Sequence, residues 1–309
     1  MISTARTSTV AKIRQPSRLA PTAWLRRMQS TIPALVIGLL LVAIWYVAAV
    51  FKNMPSARIV LGQQASTGEL IRQSLNLNMP LVPLPHQVLA DFFSALQQPL
   101  DSPRGLWIHM GTTAWEALLG LFFGTILGIV IATIFVHSRP VESAFLPYVI
   151  ASQTVPVIAL APIVIGIMGI SLSAKVLIAA YLVFFPVTVS MVKGLKSADA
   201  LAYDLMRSYA ATRWQVYWKL RFPAALPFLF AGLKVAATAS LVGAIIAELP
   251  FGSTTGLGAR LIVATTYSAT ISVWATILAS GVLGILGFAM VSGLERLLVK
   301  HRVSLEGSV

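Results

Sequence analysis

Six stretches of this chain are long and free of Asp, Glu, Lys and Arg, and they set the environment in which it can fold. They are residues 28–51, 117–138, 143–174, 176–192, 222–247 (interrupted only by Lys234) and 261–294. A helix needs about 20 mostly apolar residues to cross a hydrocarbon core of about 30 Å. Backbone polar groups cannot be left unpaired in lipid, so such runs must be helices rather than open sheet. We therefore expect an all-α polytopic membrane protein with six transmembrane helices, near 32–51, 107–136, 143–169, 174–194, 224–249 and 270–295. Only 11% of the residues are charged, against about 25% in ordinary soluble domains. A pair of soluble domains is thereby excluded. The chain has no cysteine, which removes disulfides, thiol nucleophiles and thiolate metal sites. His86, His109, His137 and His301 lack the spacing of a metal motif, so no metal site is expected.

Placement explains the net charge of +13. Lys and Arg accumulate in cytoplasmic connections. The first 31 residues hold Arg6, Lys12, Arg14, Arg18, Arg26 and Arg27 with no acid, and the 193–221 connection holds Lys193, Lys196, Arg207, Arg213, Lys219 and Arg221. Arg139 in the 137–142 turn and Arg296, Lys300 and Arg302 in the tail join the same side. The opposite connections carry only Lys52, Arg58, Arg72, Arg104, Lys175 and Arg260. Both termini are expected in the cytoplasm, and the basic excess reports topology rather than nucleic-acid binding. The first apolar run follows a basic arm too long for a secretory leader. It is expected to remain as a spanning helix.

The connections suggest an organisation: a basic arm over 1–31, a first span over 32–51, an external segment over 52–106, a core of five spans over 107–295 and a tail over 296–309. Within the external segment, Met79-Pro80-Leu81-Val82-Pro83-Leu84-Pro85 is extended and proline-punctuated. Val88, Leu89, Phe92, Phe93 and Leu96 then recur at helical spacing. That pattern predicts an amphipathic helix lying on the outer membrane surface, packed on neighbouring spans, or both. On the cytoplasmic side, Leu201, Leu205 and Tyr209 form an i, i+4 stripe. Thr212-Arg213-Trp214-Gln215 has the form of a capping box. A second short helix should start at Thr212 and run to Phe222, where Pro223 should stop it. Trp214, Tyr217, Trp218 and Phe222 crowd this helix with aromatics. Two short helices presenting aromatics and cations fit a docking surface or a hairpin on the lipid headgroups.

This cytoplasmic segment resembles the E-A-A-x-x-x-G-A-S loop of the membrane subunits of binding-protein-dependent ABC importers. The run here is Asp204-Leu205-Met206-Arg207-Ser208-Tyr209-Ala210-Ala211-Thr212, then Arg213-Trp214-Gln215 and, later, Phe222-Pro223-Ala224-Ala225-Leu226-Pro227. The nitrate/sulfonate/taurine permease group is the more particular likeness. It is carried by Leu84-Pro85-His86-Gln87-Val88-Leu89, by Thr154-Val155-Pro156-Val157-Ile158-Ala159-Leu160-Ala161-Pro162, and by Gly256-Leu257-Gly258. The likeness covers about residues 80–300. The family glycine is Ala210, its glutamate Asp204 and its two alanines Leu205 and Met206. If position 210 needs a positive φ, alanine costs about 1 kcal/mol relative to glycine.

The resemblance implies a type I importer permease in the inner membrane. It would take up a nitrate-, sulfonate- or taurine-like solute, or a heterocyclic vitamin precursor, from an external binding protein. Its loop, 196–223, would couple to two ATP-binding subunits, with Asp204, Arg207, Ser208, Tyr209, Ala210, Ala211, Thr212, Arg213, Trp214 and Gln215 as the contact residues. ATP with Mg²⁺ would then be bound by those partners and no cofactor by this chain, which contains no G-x-x-x-x-G-K-[ST]. Six spans are too few to enclose a pathway, so a second permease subunit is implied. The chain itself would be a transport subunit and not an enzyme.

Charged groups inside spans are costly and are functional candidates. Glu116 reads either as a pathway residue or as the partner of a group on a neighbouring helix. Lys234 has the stem length to snorkel towards water. Glu248 sits at an external end, interfacial or lining the pathway. Gln153 and Thr154, flanked by Pro156 and Pro162, mark a kink where freed carbonyls need partners or water. They read as pathway-lining or as packing. The small residues Ser280, Gly281, Gly284, Gly287, Ser292 and Gly293 read as a close helix contact. A rival from another class is an ion- or proton-coupled carrier using Glu116 and Glu248, which inverted repeats would support. A membrane scaffold is a third reading.

Overall fold

Three helices whose small residues face one another form the centre of the computed structural model, which describes residues 23–62, 64–250 and 252–306. They are α4 (Leu106–His137), α7 (Leu172–Leu195) and α10 (Phe222–Glu248). Gly120, Gly124 and Gly128 recur every fourth residue, on one face of α4. A Cβ there would lie 2.3 Å from the Ala179 Cβ, 2.6 Å from the Val183 Cβ and 2.8 Å from the Val187 Cγ1 of α7. Absent side chains on one helix thus admit the branched row of the next, the usual way helices gain contact in lipid. On α10, Gly232 and Gly243 likewise take Ser190 and Ala179 of α7 at under 3 Å. Val183, Val187, Met191 and Leu195 are completely buried in this contact.

Among the described residues, five helices are long and apolar enough to cross a membrane. They are Leu35–Leu61 within α1 (Ala23–Leu61), α4, α7, the continuous run Arg213–Glu248, and Thr270–Leu298 within α12 (Thr270–Glu306). The expected span over 143–169 is instead two helices, α5 (Arg139–Ser152) and α6 (Val157–Met168), bent by 96°. The span total is six only if this pair is counted as one. Pro156 at the start of α6 cannot donate to the preceding turn. Thr154 and Val155 close tight turns on Ala151 and Ser152 instead, at 3.0 and 3.3 Å.

The first span also differs from expectation, since α1 continues past Lys52 to Leu61. The segment after it is more structured than its Gly- and Gln-rich composition suggests. In α2 (Thr67–Ser74), the Ser66 hydroxyl and amide both donate to Glu69 at 2.8 Å. These bonds hold the Glu69 carboxyl below its ordinary range. The proline-rich stretch is pinned by Asn53 of α1, whose Nδ2 donates to the Val82 carbonyl at 2.8 Å and whose Oδ1 accepts from the Val82 amide at 3.1 Å. Next, α3 (Pro85–Leu96) buries Val88, Phe92 and Ala95 against α4 and α12 but leaves Leu89 and Phe93 exposed. One face therefore packs against neighbouring helices, and the other is left exposed.

The Gly-Leu-Gly turn leads into α11 (Leu257–Thr266), a ten-residue helix that precedes α12. The glycines of α12 are not where the chain packs most closely. Gly281, Gly287 and Gly293 have open space beside them within this chain. Small residues signal that a close approach is allowed but not which surface makes it.

Candidate functional site

Two polar regions sit at opposite ends of the helical core. The first is the connection between α7 and α10. It begins with α8 (Ala200–Ser208), whose N-terminus is capped by the Asp199 carboxylate accepting from the Leu201 amide at 3.4 Å. At its other end the Ala211 amide donates to Met206 at 3.0 Å and the Ala210 amide to Arg207 at 2.9 Å. This paired closure requires a left-handed residue, and Ala210 supplies it with φ +50°. The turn places Thr212 as the cap of α9 (Arg213–Val216). Its hydroxyl accepts from the Gln215 amide at 3.3 Å while Gln215 Oε1 accepts from the Thr212 amide at 2.8 Å. The capping box read from the sequence is therefore present, and α9 starts directly after Thr212.

Pro223, however, does not stop the helix. Between α9 and α10 the backbone widens into one π-helical stretch, Tyr217–Arg221, in which the Phe222 amide reaches Tyr217 five residues back. A wider turn accommodates a residue that lacks a donor. The result is a single rod from Arg213 to Glu248.

Of the residues expected at a docking surface, Asp204, Arg207, Ser208, Tyr209, Ala210, Thr212, Arg213, Trp214 and Gln215 are exposed, and Ala211 is half-buried. The apolar stripe Leu201, Leu205 and Tyr209 is exposed as well, at 76%, 57% and 78%. Large apolar groups in such a row mark an interaction surface. Tyr217 is instead buried, and its hydroxyl bonds Thr133 of α4 at 2.8 Å. It stacks on Trp214 with ring centres 5.4 Å apart, and His137 lies 5.4 Å from it. The tip thus presents Trp214 while anchoring itself to the end of α4.

The second region is a buried cluster at the other end. Glu116 of α4 accepts from Lys175 of α7 at 2.7 Å, and Lys175 Nζ also donates to Ser253 at 3.0 Å. Glu248, wholly buried at the end of α10, accepts from the Thr113 hydroxyl at 2.6 Å and the Gly258 amide at 2.7 Å. Thr113 in turn accepts from the Leu257 amide at 2.8 Å. His109 Nδ1 lies 3.0 Å from the Gly256 carbonyl oxygen and 3.1 Å from its amide nitrogen, and Nε2 lies 3.0 Å from the Pro103 carbonyl oxygen. Gly256 has φ +114°, and a Cβ on it would fall 2.2 Å from the Glu248 carboxyl carbon. Glycine is therefore required for the turn to lie on that carboxyl.

Glu248 is thus internal rather than interfacial, because the turn that follows it folds back over it. The ion partner of Glu116 is Lys175, which the sequence placed in an external connection. An isolated charge between two apolar runs was the available signal. Lys234 does not simply snorkel: it pairs with Glu295 of α12 at 2.5 Å. Gln153, Thr154 and Pro156 are exposed at the bend between α5 and α6. No hydrogen bond or ion pair among the described residues joins them to Glu116 or Glu248. Nor does any group of three His, Asp or Glu among those residues have metal-holding geometry.

These features agree with comparisons to known proteins. The family model described as "Binding-protein-dependent transport system inner membrane component" matches residues 124–300. A formylaminopyrimidine transport permease protein of Halalkalibacterium halodurans is 34% identical, over 72% of this chain and 86% of its own length. A riboflavin transport system permease protein of Chloroflexus aurantiacus is 30% identical, over 72% and 81%. A putative aliphatic sulfonates transport permease protein of Bacillus subtilis is 32% identical, over 65% and 73%. With the matched region running from Gly124 of α4 into α12, the chain belongs to the binding-protein-dependent transport family and is the membrane-spanning permease subunit of an ABC importer.

Proposed function

We propose that this permease sits in the inner membrane with both termini in the cytoplasm and receives its solute from an external binding protein. It couples to two ATP-binding subunits that bind ATP with Mg²⁺, and lines the pathway together with a second permease subunit. The observation that carries this reading is the cytoplasmic tip itself. Leu201, Leu205 and Tyr209 are exposed along α8 and its cap beside Arg207, and Arg213 and Trp214 are exposed at the start of the helix that runs on into α10. An apolar and cationic knob on a rigid stem suits insertion into a groove of a separate subunit. The solute class we assign is a small polar organic molecule. A nitrogen heterocycle of the formylaminopyrimidine type is the first candidate, with sulfonates as the second, following the names of the relatives. The exposed bend at Gln153, Thr154 and Pro156 is our candidate pathway lining. We place Glu116 and Glu248 in the frame that holds the helices around it.

The test is co-purification with the ATP-binding subunit encoded beside the gene. Wild type should retain it, and Arg213→Glu combined with Trp214→Ala should lose it while the permease still melts as wild type. Retention of the ATPase by the double variant would remove these two residues from the interface. Failure of wild type to hold any ATPase would remove the docking assignment altogether.

A further inference from the structure

A cavity of about 490 Å³ lies at the end of the core that carries the 249–258 turn, walled by α3, α11 and the start of α12. Two of its lining residues, Asp91 and Arg260, hold polar groups that the fold leaves unmet. Arg260 has a side chain only 12% exposed, and it is tethered on one side. Its Nε donates to Thr276 Oγ1 at 3.1 Å and its Nη1 to the Arg104 carbonyl at 2.6 Å. The remaining nitrogen, Nη2, lies 4.0 Å from Asp91 Oδ2, beyond hydrogen-bond reach. Asp91 is tethered in the same way, since its Oδ1 accepts from the Ser272 hydroxyl at 3.4 Å. Its Oδ2 is buried and meets no donor among the described residues. A buried carboxylate oxygen in that state calls for a donor that the chain does not supply. The adjoining wall is apolar, made by Ala95, Val263 and Ala264, and the exposed Tyr267 adds an aromatic ring.

We propose that this cavity binds a small neutral nitrogen ring or amide that presents an N–H donor beside an acceptor, as the edge of an aminopyrimidine does. The ligand N–H donates to Asp91 Oδ2, and the acceptor beside it takes an N–H of Arg260 Nη2. One flat edge thereby joins two charged groups that stand too far apart to bond each other, while the ring lies along the apolar wall and Tyr267. A simple anion would set its charge against the unpartnered Asp91 oxygen. An aminosulfonate brings three donors and three acceptors to a place where one acceptor and one donor stand unmet. The site deepens the solute assignment made above, and it rests on that reading for the ligand's role, a solute held before it enters the pathway.

The test is saturation-transfer NMR on the full-length permease in lipid nanodiscs, with empty nanodiscs as the blank. The probes are 4-aminopyrimidine, pyrimidine (which lacks the donor) and taurine. At neutral pH 4-aminopyrimidine should saturate wild type, and pyrimidine should bind at least about tenfold more weakly for the loss of one charge-assisted hydrogen bond. Asp91→Ala should weaken 4-aminopyrimidine by a similar factor. Val263→Trp fills the cavity from a side chain that is 55% exposed and touches neither charged group of the pair, so it should abolish binding and keep the test decisive if Asp91→Ala does not fold. The proposal is overturned if 4-aminopyrimidine shows no saturable signal on wild type, if pyrimidine or taurine binds as well, or if the signal survives Val263→Trp. Uptake in proteoliposomes separates the two readings. Transport of another solute class beside intact binding here would remove the solute assignment and leave the site, whereas aminopyrimidine transport that Val263→Trp leaves unchanged, with no binding in the cavity, would do the reverse.

Discussion

Ala210 shows how far one residue of the exposed tip between α7 and α10 could be read in advance. The family likeness raised the possibility of a positive φ there, and the chain adopts +50°. Alanine in that conformation is strained by about 1 kcal/mol relative to glycine. Ala210→Gly should therefore increase amide-exchange protection across 206–216, by up to about fivefold for 1 kcal/mol, and Ala210→Val should decrease it. The cap at Thr212 and Gln215 was equally legible, because a capping box is written in four consecutive residues. Lys175 was not. Its partner Glu116 is 59 positions away, and no local pattern records a pairing made by the packing of two helices. The Ser66 and Glu69 box that opens α2 was present in the sequence but masked by the polar composition around it.

At the scale of elements, the spans were readable because charge-free length is a local property, while their breaks were readable only in part. Prolines 156 and 162 announce a disturbed helix, yet the 96° bend depends on how α6 packs beside α7 and α10. Pro223 misled for the opposite reason, since a π turn spares the helix the stop that proline normally imposes. That turn and the Thr133–Tyr217 bond tie the tip to α10 and α4 together. Tyr217→Phe removes the hydroxyl without changing the ring. It should leave ATPase binding intact and lower solute taken up per ATP hydrolysed in proteoliposomes. The contact between α4 and α7 gives a second test. Gly124→Val places a branched side chain where even a Cβ meets Val183 at 2.6 Å. It should cost at least about 1–3 kcal/mol as an overpacked core, seen as a lower melting temperature. Gly287→Ala, with open space beside it, should melt as wild type.

The whole molecule leaves broad apolar surfaces on α1 and α12, as a lipid-embedded chain should. Its orientation can be measured cleanly, because the sequence has no cysteine to remove. Asp101→Cys should react with an impermeant maleimide from outside intact cells, and Ser208→Cys only after the membrane is opened. The reverse pattern would invert the topology. The unbroken rod from Arg213 to Glu248 has a mechanical consequence at this scale. Its 36 residues extend for about 54 Å at 1.5 Å per residue, so a tilt of about 10° about its midpoint swings each end by about 5 Å in opposite directions. A seesaw pivoted in the bilayer cannot lower one arm without raising the other. A push delivered to the tip beside Trp214 is thus geared to an opposite displacement of the turn seated on Glu248.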